Sequence, residues 1–99
     1  MTRLPESLLD QLCELAQRLR SESEDFLEQH QDAQLWYNRG YANGMLLGLA
    51  ELLGEQLPCG LQADDPTLLQ GHEVMAWGKA YRHGESMGRK ETFEIAGST

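Results

Sequence analysis

Basic residues are scarce in this chain. Of 99 residues, eight are Lys or Arg against sixteen Asp or Glu, a formal net charge of −8. So acidic a surface repels phosphate, which argues against direct nucleic-acid binding and against anionic membranes. It fits a basic or neutral partner, or a protein that imitates nucleic acid. Cysteine is nearly absent: Cys13 and Cys59 stand alone, with neither CxxC spacing nor a nearby histidine. The expectation is a reduced, cytoplasmic protein whose cysteines are packing residues, a disulfide between them being the alternative. No basic stretch leads into an apolar run at the N-terminus, so no signal peptide is read. The apolar window from Met45 to Leu53 is too short to span a membrane and contains Gly48 and Glu51. Histidine is limited to His30, His72 and His83, which do not form metal spacing with one another. No zinc site or other metal, and no cofactor, is expected.

Glycine, by contrast, is plentiful, and its placement organises the chain. Tyr37, Tyr41, Gly44, Gly48 and Glu51 recur forty residues later as Trp77, Tyr81, Gly84, Gly88 and Glu91. Arg39 against Lys79 and Gly40 against Ala80 extend the repeat. Glycines four apart, with aromatics three and seven residues before the first, lie on one face of a helix. Glycine inside a helix costs about 1 kcal/mol relative to alanine. Two helices that accept this cost twice over are expected to cross at these positions, backbone close to backbone, flanked by Tyr41 and Tyr81. This is the small-xxx-small contact known from membranes, whose packing geometry does not require lipid.

The remaining pattern reads as helices. Leu4-Pro5-Glu6 opens the first, with proline in the first turn. Leu8, Leu12, Leu15 and Leu19 form an apolar seam, widened by Leu9, Cys13 and Ala16. This amphipathic element is assigned to residues 1–31, weakened or bent near Ser21-Glu22-Ser23-Glu24. Asp32 is available to cap a second helix over 33–54, apolar nearly all round, with Gly54 as its stop. A loop with Pro58 and Gly60 leads to Asp65-Pro66, a helix start signal. The third helix is expected over 66–91, weakened at Gly71. Residues 92–99 form a tail. Within it Thr92-Phe93-Glu94-Ile95 alternates β-favouring and polar types. It is read either as a short edge strand that pairs with a partner or as a segment pinned by Phe93 and Ile95.

Charge is unevenly spread. Residues 1–34 carry eight acids against Arg3, Arg18 and Arg20, whereas 79–90 carry Lys79, Arg82, Arg89 and Lys90 against Glu85 alone. The asymmetry serves either docking or two solvated helix faces. Gly84-Glu85-Ser86-Met87-Gly88 matches G-x-S-x-G, but a nucleophile elbow needs a preceding strand, and the first copy of the repeat holds Leu46 at the serine position. The glycines therefore belong to the helix contact. Glu51 and Glu91 are equivalent in the repeat and are placed to face each other, or to pair with Arg39, Arg82 or Arg89. No catalytic constellation results.

The expected fold is all-α: one small three-helix domain over 1–99, helices two and three crossing at the Tyr-x-x-Gly-x-x-x-Gly pattern, with a short C-terminal extended segment allowed. Helix two is apolar on too many sides for one neighbour, which points to a homodimer. The crossing residues are Tyr37, Tyr41, Gly44, Gly48, Trp77, Tyr81, Gly84 and Gly88. Trp36, Met45, Phe93 and Ile95 are candidate contacts for another protein, aromatics and methionine being common anchors of interfaces.

The run Trp36-Tyr37-Asn38-Arg39-Gly40-Tyr41-Ala42-Asn43-Gly44-Met45-Leu46, with Ala80-Tyr81-Arg82-His83-Gly84, resembles the QslA-type antiactivators of LasR-like quorum-sensing regulators. The resemblance implies a dimeric inhibitor that occupies a LuxR-type transcription regulator and blocks its dimerisation; no binding residue is carried over from it. Two rivals stand beside it. One is an acidic nucleic-acid mimic that uses Glu6, Asp10 and Glu14, four residues apart. The other is a small enzyme built on Ser86 or on Glu51 and Glu91.

Overall fold

The computed structural model describes residues 6–53, 63–65 and 67–97. The described residues form three α-helices, α1 (Glu6–Glu22), α2 (Ala33–Leu53) and α3 (Ala76–Gly97), with one turn of 3-10 helix at Phe26–Glu28 between the first two. No strand occurs among the described residues. The all-α expectation holds, and several boundaries move.

The first helix stops nine residues short of the expected end. Ser23 is fully buried, and its hydroxyl donates to the carbonyl of Leu19 at 2.5 Å. A serine bonded four residues back competes with the helical ladder and favours a stop. The chain then turns through Phe26–Glu28 into the core. Asp32 caps α2 as expected: its Oδ1 accepts the N–H of Leu35 at 3.1 Å. Gly54 and the loop with Pro58 and Gly60 lie outside the described residues.

Helix three starts ten residues later than the Asp65-Pro66 signal indicates. Asp65 does cap, but it caps a turn, accepting the N–H of Thr67 at 2.8 Å and its hydroxyl at 2.7 Å. Leu69 is drawn completely into the core. Gly71 has φ +83°, a left-handed conformation that ends any helix begun at residue 66. At the other end α3 runs on through 92–97, so the tail and its edge strand are replaced by helix. Thr92 is buried against Gly48 with its methyl 3.4 Å from where a Cβ would stand, and Ala96 is buried beside α1. Tertiary packing outweighs the β propensity of Thr92 and Ile95.

Helix α2 is the spine. Leu12 and Ala16 of α1 pack on Met45, Leu46 and Leu49, joined by Ala96 from the end of α3. At the opposite end Phe26, Trp36, Leu69, Trp77 and Tyr81 form a second cluster. Trp36 and Trp77 meet at 4.4 Å, Phe26 packs edge-on to Trp36 at 4.7 Å, and Trp36 Nε1 donates to the Gln29 carbonyl at 3.0 Å. Each such aromatic pair contributes about 0.5–1.5 kcal/mol beyond area burial. Because α1 and α3 between them cover α2, the breadth of its apolar surface does not itself require a second copy.

Between the clusters α2 and α3 lie parallel, backbone against backbone. A Cβ at Gly40 would stand 2.8 Å from the carbonyl carbon of Tyr81, and one at Gly44 the same distance from that of Glu85. Reciprocally, a Cβ at Gly84 would come within 3.0 Å of the Tyr37 carbonyl carbon, and one at Gly88 within 2.9 Å of that of Tyr41. In each case the carbonyl oxygen is nearer still, so the glycine hydrogen aimed at it makes a Cα–H···O contact. These four contacts exchange under a local twofold that pairs Gly40 with Gly84, Gly44 with Gly88 and Gly48 with Thr92, an offset of 44 residues. The sequence repeat has an offset of 40. The helices thus meet one turn away from the register of the repeat, and Gly40 belongs to the contact.

Cys13 is disulfide-bonded, which overturns its reading as a reduced packing residue. Cys59 lies outside the described residues.

Candidate functional site

Two features stand out once the helices are placed. The first is a polar centre on Asp64, held where the connection to α3 passes the junction of all three helices. Arg39 grips its carboxylate with two bonds, Nε to Oδ2 at 3.1 Å and Nη2 to Oδ1 at 2.8 Å. Tyr81 donates its hydroxyl to Oδ2 at 2.7 Å, and Arg20 of α1 brings Nη1 to 3.5 Å from Oδ1. The Asp64 N–H donates to Asn43 Oδ1 at 2.8 Å, and Asn43 Nδ2 passes the chain on to Glu85 at 2.7 Å. Arg82 closes the far side of Glu85 at 3.0 Å.

Two arginines therefore share one carboxylate that is only 8% exposed. Burial lowers the pKa of Arg20, the neighbouring Arg39 charge lowers it further, and Asp64 and Tyr81 oppose both. Its Nη1 is buried without a hydrogen bond. Arg39 also lies over the Phe26 ring at 4.7 Å. Burial, followed by the charge of Asp64 and the bond to it, holds the Tyr81 hydroxyl well above the ordinary tyrosine range. Three hydrogen bonds from α2 and α3 and the nearby Arg20 charge hold this carboxylate as a clasp between elements. Beside it a cleft of about 270 Å³ opens between Leu47, Leu68, Leu69, Arg82 and Glu85. Its polar walls are satisfied from within the chain.

The second feature is a groove of about 450 Å³ between α1 and the end of α3, lined by Leu8, Leu12, Leu15 and Ile95 with Gln11, Glu14 and Arg18 at its edge. Ile95 is 39% exposed.

The expected site residues divide between core and surface. Tyr81 and Trp77 are buried and Tyr37 and Tyr41 half-buried beside the crossing; Gly44, Gly48, Gly84 and Gly88 are buried in it. Trp36 and Met45 are each 1% exposed in the core, so neither can touch another protein. Phe93 is half-buried under the guanidinium of Arg89 at 4.9 Å, and Ile95 alone of the four is open in the groove. Glu51 and Glu91 do not face each other. Glu51 accepts two bonds from Arg89, at 2.9 and 2.6 Å, while Glu91 accepts the hydroxyl of Tyr41. Ser86 lies exposed in mid-helix with its flanking glycines spent on the carbonyls of Tyr37 and Tyr41. No cluster of His, Cys, Asp or Glu fit to hold a metal occurs among the described residues. Among them, no helix is long and apolar enough to cross a membrane. Comparison with known protein families, with curated proteins and with solved structures finds no match.

Proposed function

We propose that this chain is a non-enzymatic protein-binding regulator, which inhibits a bacterial transcription regulator of the LuxR type by binding it and blocking its dimerisation. The observation that carries the reading is the groove of Leu8, Leu12, Leu15 and Ile95 on a chain of net charge −8. Aliphatic side chains from two helices line one concavity, the kind of uncovered surface that anchors protein interfaces. The type of partner rests on the resemblance of residues 36–46 and 80–84 to the QslA-type antiactivators.

The test mixes the chain with the purified ligand-binding domain of a LuxR-type regulator and follows mass by light scattering after gel filtration. The regulator dimer should give way to a mixed complex. Ile95→Glu should weaken that complex by about tenfold or more, equivalent to about 1.4 kcal/mol, with the melting temperature unchanged. A regulator dimer that persists beside excess chain refutes the reading.

A second reading has its own support. Glu6, Asp10 and Glu14 are all exposed on α1 and recur every four residues, a step of about 6 Å. Such a line suits imitation of a nucleic-acid backbone toward a basic protein. Affinity that collapses with added salt would favour the mimic; affinity indifferent to salt would favour the groove.

A further inference from the structure

The charged groups around the cleft beside Asp64 divide into those spent within the chain and those left over. The inner wall is spent. Glu85 accepts from Asn43 on one oxygen and from Arg82 on the other, and Asp64 is held by Arg39 and Tyr81. The rim is not. Asp65 takes both bonds from Thr67 on Oδ1, and its Oδ2 accepts nothing among the described residues. Those two bonds, the backbone one first, hold its carboxyl below the ordinary range, so it stays charged. Arg82 gives Nη1 to Glu85 and leaves Nε and Nη2 without a partner among the described residues. A guanidinium carries five N–H donors, so the free edge can still grip a carboxylate.

Asp65 and Arg82 are both exposed and both line the cleft, yet no ion pair joins them. The lining adds four apolar side chains, Leu47 from α2 and Ala63, Leu68 and Leu69 from the connection to α3. Its volume of about 270 Å³ falls just below the span of ordinary ligand pockets, about 300–1,000 Å³. The occupant is therefore smaller than a drug-sized molecule. The signs of charge narrow it further. A lone anion on Arg82 would face the carboxylates of Asp65 and Glu85, and a lone cation on Asp65 would face Arg82. A ligand with both charges meets each with its opposite.

We propose that the cleft binds a small zwitterion, an α-amino acid with an aliphatic side chain, its ammonium on Asp65 and its carboxylate on the free edge of Arg82. The aliphatic group lies on Leu47 and Leu68. Such a ligand ties the connection to α2 and α3 and stabilises the folded chain by mass action. This inference depends on neither the groove nor the regulator, and its test uses the chain alone.

The experiment is isothermal titration calorimetry of the full chain with L-leucine. Beside it run N-acetyl-L-leucine, L-leucinamide and glycine, which lack in turn the ammonium, the carboxylate and the aliphatic group. Leucine should saturate the chain in the millimolar range or tighter and raise its melting temperature. Each of the other three should bind at least about tenfold more weakly. Asp65→Asn keeps an oxygen for Thr67 and loses the charge; Arg82→Gln keeps an amide donor and loses the guanidinium. Circular dichroism verifies the fold of each variant, and each should weaken leucine binding by about tenfold or more, the scale of one hydrogen bond to a charged group. A wild type that leucine does not saturate overturns the proposal. So does a truncated probe that binds as tightly as leucine, or a variant that binds leucine as the wild type does.

Discussion

The crossing of α2 and α3 makes a prediction that separates glycines on one face of α2. At Gly44 an added methyl would lie 2.8 Å from the Glu85 carbonyl carbon and 2.9 Å from the Arg89 nitrogen. Ordinary contact begins near 3.4 Å, and every atom it meets belongs to the backbone of a helix that cannot rotate aside. The helices must part. Overpacking of this kind costs about 1–3 kcal/mol, against which alanine returns about 1 kcal/mol of helix propensity. The net expected for Gly44→Ala is a loss of up to about 2 kcal/mol; for a domain of this size 1 kcal/mol moves the melting temperature by about 4–8 °C. Gly48, four residues on, meets the side chain of Thr92 at 3.4 Å and the Arg89 carbonyl oxygen at 3.5 Å, both ordinary contacts. There the propensity gain stands nearly unopposed, so Gly48→Ala should leave stability unchanged or raise it by up to about 1 kcal/mol. By the local twofold Gly40, Gly84 and Gly88 should follow Gly44. Urea denaturation of the five alanine variants checks the ordering. If Gly44→Ala and Gly48→Ala shift the midpoint equally, or in the reverse sense, the parallel register with its 44-residue offset is wrong.

Two further outcomes follow from the polar centre. Asp64→Asn removes the one carboxylate between Arg20 and Arg39 and leaves two partly buried like charges, so unfolding in urea should show a loss of about 1.5–3 kcal/mol, the range of hydrogen bonds to a charged group; a loss below about 1 kcal/mol, the range of an exposed pair, would place the centre in solvent. Burial first, and then the carboxylates of Asp64 and Glu91, raise the hydroxyl pKa of Tyr81 and Tyr41. The folded form then holds these protons more tightly than the unfolded one. Stability should be full below the unfolded value of about 10 and fall as pH rises beyond it. Tyr81→Phe should flatten that decline, and a wild type equally stable on both sides of about pH 10 contradicts the assignment.

The helices were legible because the apolar spacing of α1 and the Asp32 cap act locally. The ends were not, because nonlocal contacts set them. Gly71 is an ordinary weak helix residue until Leu69 is seen buried among Phe26, Trp36 and Trp77. Thr92 alternates like a strand residue until it is placed opposite Gly48. The repeat shows the same limit. Aromatics and glycines recur together at an offset of 40, but carbonyl-to-glycine contact needs only small residues in register. The ladders Gly40-Gly44-Gly48 and Gly84-Gly88-Thr92 satisfy that need one turn away from the aromatic alignment. Small residues decide how closely the backbones approach; the aromatics then pack where the approach leaves room.

The polar centre was hidden for a different reason. Asp64 and Asp65 read as one piece of loop punctuation, yet they do opposite work: Asp65 is exposed and bonds its own turn, while the Asp64 side chain is 8% exposed and links three helices. Nothing at positions 64 and 65 distinguishes them. The available signal lay elsewhere, in Arg39 on a helix that is apolar nearly all round. A guanidinium placed there must either reach solvent or find a carboxylate, because an unpaired buried charge is too costly to keep. The acids of α1 serve its outer face, and Glu51 stands twelve residues along α2 from Arg39. The connection between α2 and α3 was therefore a place to look beside Glu85 and Glu91 of α3, and the Arg39 clasp shows that this connection passes over α2.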